Sequence, residues 1–244
     1  MPQGIDVEIV VQDPAGVRIA NDAGATRVEL CTALGVGGLS PSISLIERCV
    51  AQGLPVHVLI RPRPGGFVYT DEEKDLIRAD IAASVRAGAA GVVIGALDTK
   101  ASGLDMAALE TWIAAADGGD VTIHRCVDVL LETPTTSPEA VGDALISLGV
   151  TRVLTSGGAT TVGRGLATID ALSRYLNGKV QVMAGGGTQI EDIAPLRAIG
   201  VAAVHLSARM TSHAAGPAGP GGGDGAFDVT NPDLVRAAVR AATQ

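Results

Sequence analysis

The groups in this sequence most suited to chemistry are carboxylate and imidazole side chains that lie inside short apolar runs. Glu8 and Glu29 are set in two such runs near the amino terminus, and His124 and His205 in two later ones. A carboxylate and an imidazole can share proton transfer when an apolar site moves their pKa values toward neutral pH. We therefore take Glu8, Glu29, His124 and His205 as candidate catalytic residues.

Arginines and glycine-rich turns follow several of the same apolar runs. Guanidinium groups, and backbone amides of glycine turns that lead into helices, bind phosphate and carboxylate groups. A glycine turn that serves only to reverse the chain is the alternative interpretation. The sequence predicts an anion site made by Arg61, Arg63, Arg125, Ser156, Gly157, Gly186 and Gly187.

The elements that must position these residues are short β-branched runs that alternate with helical patterns. Helix starts are marked by proline after a capping residue, as at Asp13-Pro14, and by capping-box spacing, as at Thr70 with Glu73 and at Thr188 with Glu191. Repeated βα units over 244 residues predict one TIM barrel, a (β/α)8 fold, as a single domain over residues 1–244, with a doubly wound open sheet as the alternative. The predicted strands are 5–11, 27–31, 56–60, 91–95, 121–125, 152–155, 180–184 and 203–206.

The alternation of side chains along these strands predicts a polar barrel interior. Outward positions must be apolar because helices cover them, so Glu8, Glu29, His57 and His205 are expected to face the lumen, as is Thr155 on the sixth strand. A hydrogen-bonded polar plug without catalytic function is one interpretation of this set. Another is that Glu8, Glu29 and His205 hold a hard or borderline divalent metal ion.

Composition limits the classes of function. With 47% hydrophobic and 18% charged residues the chain can bury a large core, and a net charge of -8 argues against a nucleic-acid partner. No apolar run is long enough to span a bilayer, and three widely spaced cysteines encode no disulfide framework. We expect a cytoplasmic protein that binds a metal ion or a small anionic ligand and no membrane, with a homo-oligomer left open.

One low-complexity segment, residues 216–225, precedes the last predicted helix. Its glycine and proline content predicts a mobile loop, over about residues 211–226, at the carboxyl end of the barrel. A lid over the site and a disordered insertion are the two interpretations of this loop.

Several segments, in order at the ends of successive strands, resemble the CutC family of copper homeostasis proteins from about Glu8 to Ser207. They are GATRVELC at 24–31, GGLSPS at 37–42, IRPR at 60–63, VTIHR at 121–125, RVLTSG at 152–157 and MAGGG at 183–187. The resemblance implies a (β/α)8 barrel and copper binding in the cytoplasm.

The copper ligands that the resemblance implies are two cysteines on the first two strands. Cys31 matches the second of them as a Cu(I) ligand, whereas Val10 occupies the position of the first. Cys126 and Met183 are candidate substitutes by composition, because Cu(I) prefers thiolate and thioether ligands.

Two functions are therefore predicted from the sequence. The first is a copper homeostasis protein that binds Cu(I), as the resemblance implies. The alternative is a TIM-barrel enzyme acting on a small anionic or phosphorylated metabolite, with arginines and glycine loops holding the anion and the His and Glu groups moving protons.

Overall fold

A closed barrel of eight parallel strands organises the protein, seen in a computed structural model that describes residues 4–133, 135–216, 219–220 and 225–244. Each strand pairs with the next in the chain, and the last pairs with the first through Glu8 and His205. The predicted TIM barrel is confirmed, and the open sheet is excluded. The strands are β1 Asp6–Val11, β2 Arg27–Leu30, β3 Val56–Leu59, β4 Gly91–Ile94, β5 Asp120–Ile123, β6 Arg152–Thr155, β7 Gln181–Gly185 and β8 Ala203–Leu206.

Helices surround the barrel and pack their apolar faces on the outward side chains of the strands, such as Ile9 and Val28. None of the helices in the described residues is long and apolar enough to cross a membrane. The helices are α1 Pro14–Ala23, α2 Ile43–Val50, α3 Asp71–Arg86, α4 Met106–Ala115, α5 Cys126–Leu131, α6 Pro138–Leu148, α7 Leu166–Leu176, α8 Ile193–Ala198 and α9 Pro232–Thr243.

Most of the predicted helix starts are present in the structure. Asp13 caps α1 by accepting a hydrogen bond from the Gly16 amide at 2.7 Å, and Thr70 with Glu73 forms the capping box of α3. The box predicted at Thr188 and Glu191 is wrong by one residue. There the Gln189 amide donates to Asp192 Oδ2 at 2.8 Å, and a short 3-10 helix, Ile190–Asp192, begins.

The lower half of the lumen is polar, as the alternation predicts. Glu8 is completely buried, and its two oxygens accept from Arg27 Nε at 2.6 Å and pair with His205 Nδ1 at 2.8 Å. Next to them, Arg152 Nη1 donates to Thr122 Oγ1 at 3.1 Å. Glu8 and His205 pair as the plug interpretation expects, but Arg27, Arg152 and Thr122 complete the network at the base of the barrel. Glu29 is not part of it, and His57 Nδ1 has no hydrogen-bond partner among the described residues.

The prediction for Thr155 is wrong, because the apolar pair on β6 allows either orientation. Leu154 faces the lumen and packs with Met183 and Ala203, so Thr155 faces outward. Its hydroxyl donates to Asp128 Oδ1 on α5 at 2.5 Å.

A two-stranded antiparallel hairpin follows the barrel where a loop was predicted. Its strands are β9 Arg209–His213 and β10 Ala226–Thr230. The hairpin takes up both ends of the predicted loop over about residues 211–226. Within that loop, residues 217–218 and 221–224 lie outside the described residues, so its mobility stays a prediction.

Candidate functional site

A cavity of about 400 Å³ opens at the carboxyl ends of the barrel strands, where TIM barrels carry their active sites. Its floor lies above the plug, and its walls come from the ends of the strands and from the loops that follow them. Among the residues that line it are Glu29, Arg61, His124, Arg125, Gly186, Gly187, His205 and Arg209.

Glu29 and His205 lie at the floor of the cavity, with Glu8 buried next to them. One ligating atom of each lies within 4.8 Å of those of the other two. Glu8 lies beneath the cavity, and its bond to His205 Nδ1 orients the imidazole. Burial by itself raises the pKa of Glu8, but the hydrogen bond and charge of His205, with the charges of Arg27 and His57, outweigh burial and lower it to about 2.

Glu29 is the polar group of this cluster that the protein leaves without a partner. The residue is only 6% exposed, and its carboxylate makes no hydrogen bond to any part of the chain that the structure describes. Burial raises its pKa to about 7, with the charge of His205 opposing this effect and that of Glu8 adding to it. A carboxyl group with a pKa near neutral can both accept and return a proton, which is the property of a general acid–base catalyst.

The pKa of His205 is raised by its two carboxylate neighbours. Burial acts in the opposite direction, but the charge of Glu29 and the hydrogen bond and charge of Glu8 are together stronger. His205 thus lies between Glu8, to which its Nδ1 is hydrogen bonded, and Glu29, whose carboxylate is within 4.8 Å.

His124 has a different electrostatic environment. Burial, with the nearby Arg61 charge, lowers its pKa to about 4, so the ring is neutral at pH 7. Its Nδ1 accepts a hydrogen bond from the Cys126 amide at 3.2 Å, which places the ring proton on Nε2. Nε2 is buried with no hydrogen-bond partner in the described structure. His124 thus suits donation of a hydrogen bond better than acceptance of a proton.

Arg125 is braced at one edge and lines the cavity at the other. Its Nε donates to Asp128 Oδ2 at 2.7 Å and its Nη2 to Ser156 Oγ at 2.9 Å. Gly186 lies against this guanidinium with a φ of 123°, and a Cβ at that position would come within 2.8 Å of Arg125 Cζ. Glycine at position 186 therefore permits the β7 loop and Arg125 to share one wall.

The glycine turn after β6 binds an anion that belongs to the protein itself. The Asp128 carboxylate accepts from the Ser156 amide at 3.1 Å and from the Gly158 amide at 3.0 Å. The Gly157 amide donates to Thr155 Oγ1 at 2.9 Å. Because Asp128 fills this turn, the structure does not bring Ser156 and Gly157 to the cavity as ligand contacts.

Arg61 lines the cavity, but most of its guanidinium is used within the protein. Nη1 donates to the carbonyls of Val36 and Gly38, and Nη2 to that of Gly65, at 2.8 to 3.2 Å. Its Nε is buried without a partner among the described residues, and the group lies over Phe67. Arg61 therefore holds the loops of the rim and adds positive charge to the cavity.

Arg63 is not brought to the cavity. Its guanidinium pairs with Glu73 at the start of α3 and lies over the Tyr69 ring, 5.1 Å from the centroid. Arg61 therefore lines the cavity, whereas Arg63, two residues later, contacts the start of α3.

Arg209 is a cavity residue that the sequence analysis missed. It begins β9, and its Nη1 donates to Asp228 Oδ2 on β10 at 2.6 Å. The sequence signal for these strands is the alternation of apolar and polar residues, clearest at Phe227, Asp228, Val229 and Thr230. The glycine-rich stretch between Arg209 and Asp228 favoured the prediction of a loop instead.

The surroundings of Cys31 do not fit a Cu(I) site. The residue is fully buried in an apolar cluster with Val10, Leu59 and Val93. Burial, with the charge of Glu29, raises the pKa of the thiol. Val10, Leu59 and Val93 offer no second soft ligand, which a two-coordinate Cu(I) site needs.

The candidate substitutes for a second soft ligand are engaged elsewhere. Met183 Sδ accepts from Arg27 Nη2 at 3.4 Å and packs in a separate cluster, and Cys126 lies beside His124 and Gly95. All three cysteines are free and buried.

A divalent ion between Glu8, Glu29 and His205 would need ligands that are already engaged. Both Glu8 oxygens are bonded, one to Arg27 and one to His205. A metal ion bound here would have to replace these two contacts of Glu8.

Sequence comparisons match the chain to a protein family and to several of its members. A sequence model described as the CutC family matches residues 5–210. A CutC family protein of Agrobacterium fabrum is 43% identical over 202 residues, which are 82% of this chain and 78% of that protein. One of Xylella fastidiosa is 40% identical over 249 aligned positions, which are 98% of this chain and 89% of that protein.

A solved structure gives the same result at the level of the fold. The crystal structure of a Streptococcus agalactiae protein, provisionally named the copper homeostasis protein CutC, has a TM-score of 0.76 to this chain. The two are 30% identical, and the match covers 83% of this chain and 98% of that one.

Proposed function

The chain belongs to the CutC family, and for this member we propose an enzyme that moves protons on a small anionic metabolite. Glu29 is the proposed general acid–base group, and the cavity above it is the substrate site. The observation that carries the proposal is a carboxyl group that is nine-tenths buried, has no hydrogen-bond partner in the described structure and lines the cavity. A carboxyl group that faces a cavity and is not used within the protein is available to a ligand.

Each neighbouring group has a proposed role that follows from its contacts. His205, held by Glu8, exchanges a proton with Glu29 and keeps it supplied between turnovers. His124 donates a hydrogen bond from Nε2 to an oxygen of the substrate, because its Nδ1 is already an acceptor. Arg125, fixed by Asp128 and Ser156, binds the negative charge of the substrate.

Copper binding through Cys31, which the resemblance implied, has no comparable support. The thiol lies in an apolar cluster, and the position of a second cysteine is taken by Val10. We propose the cytoplasm as the location, in keeping with three free cysteines.

The test is a panel of phosphate esters, sugar acids and hydroxy acids incubated with the protein in D2O and followed by proton NMR. Deuterium incorporation into a compound reports proton transfer even when no product accumulates. We expect Glu29→Gln to abolish the signal of any active compound. Glu110→Gln, which changes an exposed glutamate on α4, should leave the signal intact. Full activity in Glu29→Gln would contradict the proposal.

A further inference from the structure

The hairpin that follows β8 adds a second cationic group to the cavity. Arg209 lies directly after Ala208, which has a left-handed φ of 39° and whose carbonyl accepts from the Asn231 amide at 2.8 Å. This turn ends the barrel and starts β9, so that Arg209 lines the cavity from the side opposite the plug. A left-handed alanine is unfavourable, so the surrounding contacts must hold this turn in place.

Arg209 and Arg125 are each paired with an aspartate, and Arg125 is held further by Ser156. Each guanidinium donates to one aspartate: Nη1 of Arg209 to Asp228 at 2.6 Å, and Nε of Arg125 to Asp128 at 2.7 Å. For Arg209, no other hydrogen bond to the described residues is present, so its Nε and Nη2 have donors to spare. For Arg125, Nη1 is likewise without a described partner. A braced guanidinium loses little further entropy when it binds a ligand.

We propose that Arg209 and Arg125 together bind a dianionic phosphate group of the substrate at the open side of the cavity. The inference rests on the proposed function, whose acid–base group Glu29 lies at the floor of the same cavity. Two guanidinium groups with unused donors match the several acceptor oxygens of one phosphate. Arg61 adds a further positive charge to the wall, although its amino groups serve the rim loops.

The separation of charge in the cavity supports this assignment. Glu29 and His205 lie at the floor, whereas both arginines line walls formed by segments that follow the barrel strands. A phosphorylated small molecule would thus present its uncharged portion to Glu29 and its phosphate to the arginines.

The experiment is calorimetric titration of the full chain with inorganic phosphate at pH 8, with malonate as a dicarboxylate probe. We expect wild-type protein to bind phosphate, and Arg209→Ala and Arg125→Ala each to weaken binding about 10-fold or more. Arg236→Ala is the matched control, because Arg236 pairs with Asp233 on α9 and is not among the residues lining the cavity. It should bind phosphate as the wild type does. Arg209→Gln removes the charge but keeps most of the length of the side chain. It should weaken phosphate binding as Arg209→Ala does, which would show that the loss does not come from a loosened hairpin.

Three results would overturn the inference. They are absence of phosphate binding at millimolar concentration, equal binding by the Arg209 and Arg236 variants, and tighter binding of malonate than of phosphate. Glu29→Gln separates this inference from the proposed function: it should lose turnover and keep phosphate binding. If the Arg209 and Arg125 variants bind phosphate as tightly as the wild type while turnover still depends on Glu29, the phosphate site alone is refuted.

Discussion

Replacement of Glu29 by glutamine should change how the stability of the protein depends on pH. In the unfolded chain the carboxyl has a pKa of 4.5, and burial raises the pKa to about 7 in the folded protein. Between these values the folded state binds more protons than the unfolded state, so wild-type stability falls as the pH rises through this window. Glutamine has no proton to lose and should be free of this penalty.

The magnitude follows from the same two values. One pKa unit corresponds to about 1.4 kcal/mol, so the rise from 4.5 to about 7 costs the ionised wild type about 3 kcal/mol at pH 8. At pH 5 most of the cost is absent, and about 1 kcal/mol remains. Because Glu29 makes no hydrogen bond in the described structure, glutamine should not break a contact when it replaces the carboxyl. The free-energy gain of Glu29→Gln over wild type should therefore increase by about 2 kcal/mol from pH 5 to pH 8.

Urea unfolding of both proteins at the two pH values measures this difference directly. The exposed Glu110→Gln variant is the control, and its stability relative to wild type should change little with pH. A gain for Glu29→Gln that is equal at pH 5 and pH 8, or larger at pH 5, would refute the assignment of a raised pKa to Glu29.

Three further predictions concern the neighbours of Glu29. Glu8→Gln should destabilise the protein by about 3 kcal/mol in urea unfolding, because it removes the buried negative charge between Arg27 and His205 and leaves Arg27 paired only with the half-exposed Asp6; a loss below about 1 kcal/mol would contradict the plug. In nitrogen-15 NMR, His124 should remain neutral with its proton on Nε2 at pH 6 and titrate near pH 4; a doubly protonated ring at pH 6 would exclude its role as a neutral donor. In competition with a Cu(I) chelator, wild type and Cys31→Val should behave alike, and tight binding lost only in the variant would restore the copper site.

The fold could be predicted because its signals are local and repeated. Residues such as Asp13 and Thr70 cap helices through their own neighbours, and outward residues such as Ile9 must be apolar wherever the barrel closes. The same rule fails on β6, where Val153 and Leu154 are both apolar. Only packing against Met183 decides that Leu154 faces the lumen.

The candidate site could be predicted only in part. The inward direction of Glu8, Glu29 and His205 follows from alternation, but which pairs meet depends on the stagger of the strands: Glu8 is in register with His205, and Glu29 with Val10. The residue type also does not show whether a polar group is already bound within the protein. Ser156 was predicted to contact an anionic ligand, but its amide donates to the Asp128 carboxylate.

Arg209 shows a different limit of sequence reasoning. Its strand depends on pairing with β10, which lies on the far side of a glycine-rich segment. Contacts of this kind have no local period to detect, so the sequence predicts a loop where the hairpin and its arginine lie.

The carboxyl carbon of Glu29 offers the most direct measurement of the central claim. In protein labelled with carbon-13 at the side-chain carboxyl of glutamate, the resonance absent from Glu29→Gln identifies this residue. We predict that this resonance titrates with a midpoint near pH 7. A midpoint near 4.5, as in an unfolded chain, would contradict the assignment of Glu29 as the acid–base group.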